Sequence, residues 1–165
     1  MLGQEAEQVG FFRYAQRKVP SAAPLLTGGN PSFAFTVLKA FIVPDSCPVP
    51  LSEIKLSTFG RLDIVGGGKA QARDMTLEYE VPGHVDCEHN AVVYLSGALL
   101  PVTVRVEEAR FADGVTRFKA QFPFEQKGFS RGLTIAAVVN GTGDFATNDA
   151  VAAATVFGPA LFEIE

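Results

Sequence analysis

An all-β fold, a single-domain antiparallel β-barrel of about eight to ten strands with a β-sandwich as the alternative, is what the sequence predicts. Three features predict it. Apolar and polar residues alternate at period two in several runs. Glycine and proline punctuate the chain at roughly 8–12-residue intervals. Apolar residues make up 47% of the 165 positions, enough for one core, and fourteen of them are Phe while none is Trp.

The elements follow in order. Residues 1–30 read as an N-terminal arm, either loosely ordered or helical. Within it QEAEQVGFFRYAQRK, 4–18, is the one helical candidate, weakened by Gly10. SFAFTVLKAFIV, 32–43, is apolar on both alternating faces, with Phe33, Phe35, Val37, Phe41 and Val43 on one and Leu38 and Ile42 on the other. It reads as a strand covered on both sides. Shorter strands are expected at 54–59 and 61–65. MTLEYEV, 75–81, sets Met75, Leu77, Tyr79 and Val81 opposite Thr76, Glu78 and Glu80, a strand with one dry and one wet face. AVVYLSGALL, 91–100, is again apolar on both faces. VTVRVEE, 102–108, and RFKAQFPF, 117–124, both alternate, and Asp113-Gly114 between them supplies the positive φ of a tight turn. Residues 102–124 therefore read as one hairpin, with Pro123 on its polar face, where an edge or bulge tolerates the missing amide. LTIAAVV, 133–139, is a further strand covered on both faces, and ALFEIE, 160–165, is the last candidate.

Fourteen basic against eighteen acidic residues give a net charge of −4, without long runs of one sign. That pattern predicts no nucleic-acid partner and no anionic-membrane surface, since both need a clustered positive field. No stretch nears the roughly 20 apolar residues of a membrane helix. The start, MLGQEAEQVG, lacks the basic and apolar regions of a signal peptide. A cytoplasmic location is the default expectation, although a chain trimmed of its leader would read the same. Cys47 and Cys87 are too few for a disulfide framework and are expected as free thiols, one or both buried. A Cys47–Cys87 bridge is the alternative in an oxidising compartment.

The glycine-rich stretch NGTGD, 140–144, follows the strand 133–139. It lacks the Gly-Lys-Ser/Thr ending of a phosphate loop, and no helix signal supports a dinucleotide fingerprint. GGGK at 66–69 fails because Ala70 stands where the magnesium-holding hydroxyl belongs. Asn140-Gly141-Thr142 is formally a glycosylation acceptor, but without a secretory leader it is only a tripeptide. The plain reading is a hairpin turn with Gly141 or Gly143 at positive φ. Residues 133–156 also resemble the late hairpin of the allene oxide cyclase and dirigent-like β-barrel proteins. Ile135, Gly141, Thr142, Gly143 and Phe145 match its apolar strand and Gly-Gly-Thr-Gly-x-Phe/Tyr turn. Asn140 replaces the first glycine, and a later glycine is missing. The resemblance implies a closed antiparallel barrel of eight strands with a lined cavity, often dimeric or trimeric, acting on small apolar molecules. None of that family's functional residues can be matched elsewhere, so no catalytic role carries over.

PGHVDCEHN, 82–90, gathers both histidines of the chain with one cysteine and two carboxylates. His84, Cys87 and His89 are candidate ligands for zinc or another transition metal, with Cys47 or a carboxylate as fourth. On a regular strand Cys87 and His84 would face opposite sides, so such a site needs a loop. An exposed polar turn is the plainer reading. A Cys87–His nucleophile–base pair is conceivable, but no third orienting group can be named. The hydrolase signatures G-x-S-x-G and H-E-x-x-H are missing.

The phenylalanines fill a core or line a cavity. If they line one, Met75, Leu77, Tyr79, Phe118 and Phe122 form its wall. The leading expectation is a barrel or sandwich that binds a small, mainly apolar molecule without a cofactor. Two alternatives stay open. One is an enzyme, either a cofactor-free cyclase or isomerase or a metal-dependent one using residues 84–89. The other is an interaction or antigen-like module with a filled core, and oligomerisation is compatible with each.

Overall fold

The computed structural model describes residues 2–18, 27–43, 46–66 and 69–164. Seven strands form one antiparallel sheet: β1 (Asp63–Val65), β2 (Met75–Pro82), β3 (Asn90–Ser96), β4 (Val102–Ala112), β5 (Val115–Phe122), β6 (Gly132–Asn140) and β7 (Thr155–Ile164). Their order is β1-β2-β5-β4-β3-β6-β7. The sheet curls until its ends meet. Gly60, just before β1, bridges Phe157 of β7, with Gly60 N donating to Val156 O at 3.0 Å and Gly158 N donating to Gly60 O at 2.7 Å. The result is a nearly closed barrel, as the alternation and turn spacing predict.

Local chemistry explains the best-matched elements. Asp113 and Gly114 have φ values of 53° and 79°, so the β4–β5 turn has positive φ at both central positions, which suits the twist of the strands it joins. The N-terminal half of β4 pairs with β3 and its C-terminal half with β5, so one long strand carries the sheet around the barrel. An irregularity between Glu107 and Arg110, where Glu108 has φ 52°, lets it bend.

The two-faced apolar segments divide into two outcomes. Every residue of β3 is buried, as are seven of the nine in β6. Val92, Tyr94, Ala136 and Val138 point into the barrel, while Ala91, Val93, Leu95, Ile135, Ala137 and Val139 point outward into a second core. That outer core is covered by Phe33 of α2 (Pro31–Lys39) and by Val151 and Ala152 of α4 (Asn148–Ala154). Burial of both faces was the expectation for these strands, and two short helices achieve it.

The segment 32–43 is neither a strand nor covered on both sides, for Leu38, Phe41 and Val43 are exposed. Its first part is α2, capped by Asn30, whose Oδ1 accepts from Ser32 N at 2.8 Å, with Pro31 in the first turn. Residues 54–59 form no strand either, and the described residues hold seven strands rather than eight to ten. Pro123 lies beyond β5 and precedes α3 (Phe124–Lys127) instead of sitting on a strand face. The return from β6 to β7 is no tight hairpin, because α4 interrupts it, capped by Thr147 Oγ1 accepting from Ala150 N at 3.1 Å. The helical candidate at 4–18 corresponds to α1 (Leu2–Ala15), tied to β7 through the Arg13–Glu163 ion pair. No helix among the described residues is long and apolar enough to cross a membrane.

Candidate functional site

Inward-facing residues of β2 and β5 place the sequence-derived wall in the barrel. Tyr79 lies opposite Phe118, Leu77 opposite Ala120 and Met75 opposite Phe122. Leu77, Tyr79, Phe118 and Phe122 are buried, and Met75 packs at the edge of the same cluster. Tyr79 and Phe118 stack with ring centroids 5.4 Å apart. Phe122 is the hub. Its ring meets Tyr94 at 5.4 Å, Phe129 at 5.3 Å, Phe162 at 5.5 Å and Phe124 at 6.0 Å.

Sequence reasoning missed Tyr94 and Phe129 because they stand in segments without clean alternation. Tyr94 is opposite Ala136 on β6, a small residue that leaves room for a ring. Its hydroxyl lies 2.9 Å from that of Tyr79, and either can donate. Both side chains are fully buried. Burial pushes both phenols well above their ordinary range, so at neutral pH they are protonated donors and not phenolate bases. Thr134, on the same inward face of β6 and opposite Ser96, is also fully buried, and its hydroxyl has no hydrogen-bond partner.

Met75, Phe124 and Phe162 are only partly buried, and the rings of Phe124 and Phe162 both touch Phe122. The short helix α3 holds Phe124 there. Asp74 Oδ1 accepts from Glu125 N at 2.7 Å and from Gln126 N at 3.2 Å.

His84, Cys87 and His89 lie in the loop between β2 and β3, as expected, but they serve different contacts. Gly83, at φ 135°, turns the chain, and buried Val85 anchors the loop through its N–H to Thr116 Oγ1 at 3.2 Å. The ring of His84 packs edge-on against Phe111 at 5.6 Å. His89 Nδ1 is 3.1 Å from Asp86 Oδ2. The N–H of Glu88, and then His89, hold the Asp86 carboxyl below its usual range. Asp86 N in turn donates to Asn90 Oδ1 at 2.9 Å and closes the turn. Among the described residues no three His, Cys, Asp or Glu side chains are grouped to hold a metal ion. Cys47 and Cys87 are free thiols, and both are exposed rather than buried.

The outer face of β2, β5 and β4 carries a groove of about 640 Å³ lined by Glu78, Glu80, Glu108, Arg110, Arg117 and Lys119 among others. Arg117 Nε donates to Glu80 Oε2 at 2.7 Å, and Lys119 Nζ donates to Glu108 Oε2 at 2.6 Å. These exposed pairs neutralise one another, which is the solvated strand face that the alternation describes. No protein-family model matches the chain, and no curated protein does.

Proposed function

We propose that the barrel binds one small, mainly apolar molecule among the rings around Phe122, entering between Met75, Phe124 and Phe162. One observation carries this reading: an aromatic interior without charged side chains is continuous with partly exposed rings. The buried polar residues described are Asn90, Ser96, Thr116 and Thr134, all uncharged. A hydrophobic site with a few convergent polar groups is the usual make-up of a small-molecule pocket. The rings touch one another, so the guest must displace at least the ring of Phe122.

Titration with a neutral naphthylamine dye that fluoresces in apolar surroundings tests this. The expected result is saturable binding at one site per chain. Phe122→Leu, which opens room at the hub, should change the affinity several-fold while the protein remains folded. A dye signal that rises linearly without saturation in both proteins would overturn the reading.

A second reading rests on a different surface. Leu38, Phe41, Val43 and Val49 are exposed, with Phe41 at 80%, beside a groove of about 510 Å³ lined by Ile42, Val43, Cys47, Pro48 and Leu51 among others. An apolar patch of this kind supports an interaction module in which the chain associates with itself. Its mass in solution is the measurement that tests it.

A further inference from the structure

We propose that the Tyr79–Tyr94 hydroxyl pair is the polar recognition point of the barrel interior, which also holds the buried Thr134 hydroxyl, and that it selects a ligand bearing one uncharged acceptor oxygen, a ketone or aldehyde. The inference rests on the reading that the interior takes an apolar molecule, and it adds the chemical class of that molecule.

Two phenols bring two O–H donors, and their mutual bond at 2.9 Å uses one. The second finds no acceptor among the described residues. Both hydroxyls are shut away from water, where an unmade hydrogen bond costs most. Phe at both positions would keep the ring packing on Phe118 and Phe122 and remove the unpaired donor, whereas Phe at one alone would leave the other hydroxyl without its partner. A guest oxygen that accepts the spare proton completes the pair.

Thr134 gives an independent sign of the same kind. Its Oγ1 is buried and without a partner. On the inward face it lies one residue pair along from Tyr94 and opposite Phe162, whose ring touches Phe122, as the ring of Tyr94 does. Tyr94 and the strand partner of Thr134 both pack on Phe122, so the spare phenol proton and the Thr134 hydroxyl belong to one interior. A carboxylate or ammonium would enter this interior without a counter-charge, since no charged side chain is buried there. A neutral acceptor oxygen needs none.

The test compares a naphthyl ketone with its carbonyl-free isopropenyl analogue, a pair of nearly equal shape. Both are titrated calorimetrically into wild type, Tyr79→Phe, Tyr94→Phe, the double variant Tyr79→Phe/Tyr94→Phe and Thr134→Val. The expected result is that the double change Tyr79→Phe/Tyr94→Phe weakens the ketone about tenfold, the size of one hydrogen bond, and leaves the hydrocarbon analogue unchanged, while either single change leaves one hydroxyl free to donate. Infrared spectra of the bound ketone in wild type give a readout that needs no variant to fold. The carbonyl stretch should lie below its position in hydrocarbon solvent. If both probes bind but the stretch is unshifted and the double Tyr variant binds the ketone normally, the recognition role is wrong while the apolar site stands. If neither probe binds wild type, the apolar site fails and this inference with it.

Discussion

Tyr79 and Tyr94 resist ionisation because neither phenolate can be solvated in the barrel, and that makes stability depend on alkaline pH. In the unfolded chain a tyrosine ionises at about pH 10. The folded values are raised, so below about pH 10 both states hold these protons and stability is complete. Above that, the unfolded state loses its protons first and stability falls as pH rises, by about 1.4 kcal/mol per pH unit for each tyrosine. Urea unfolding at about pH 8 and about pH 11 should therefore show a marked loss in wild type and about half that dependence in Tyr94→Phe. Lys119, held protonated by Glu108, weakens in the same direction, so the difference between the two proteins is the informative quantity. Equal pH dependence in both would contradict the burial of the pair. At this scale the sequence was partly legible. Period-two alternation placed Tyr79 on an inward face, but nothing in AVVYLS marks which of its two apolar faces is the barrel's inside. The histidine–cysteine stretch misled in the opposite way. Donor atoms close in sequence do not gather in threes among the described residues, and His84 packs on Phe111 while His89 turns to Asp86.

Among elements, 32–43 departs from its sequence reading in both period and burial, since it is helical at its start and only Phe33 is buried while Leu38, Phe41 and Val43 are exposed. Apolar residues on both faces of 32–43 satisfy a buried strand, but a short apolar run cannot be assigned by periodicity alone. The deciding signal was local: Asn30-Pro31 is a helix start, with a side chain to cap the first turn and a ring that fits it. Asn30 also donates from Nδ2 to Asp149 Oδ1 at 2.8 Å, linking the start of α2 to the first turn of α4. The two helices thus arrive together over β3 and β6, and Phe33 is the side chain that α2 buries, its ring 5.4 Å from that of Phe59. Phe33→Ala should cost about 3–5 kcal/mol, the range for losing a buried aromatic ring. The urea midpoint should fall without a change in slope. A loss below about 1 kcal/mol would mean that α2 does not seal the outer core. The strands were legible for the converse reason. In β2, β4 and β5 one face meets water, so composition itself records which face is which.

For the whole molecule, the question is which surface remains available to another chain. Open sheet edges are the usual liability, but here β7 meets Gly60 and the first strand is three residues long. A side chain at Gly60 would approach Phe157 to 2.5 Å, so closure depends on that glycine. Such a seam is invisible in sequence, because it joins residues far apart through a single bridge and no alternating run announces it. With the edges engaged, association by strand pairing is disfavoured, and side chains outside the barrel become the better candidates. Phe41 is the most exposed large apolar residue described, and Leu38, Val43 and Val49 are exposed in the same stretch. If this patch joins two copies, the weight-average mass from light scattering should rise with concentration toward twice 17.6 kDa. Phe41→Ser should shift the midpoint to higher concentration by about tenfold or more, as for an exposed anchor that becomes buried on association. Stability of the variant monomer should be unchanged within about 0.5 kcal/mol, since the ring contributes little to the core it does not touch. A wild type that stays at one chain's mass throughout would remove self-association and leave the aromatic interior as the functional reading.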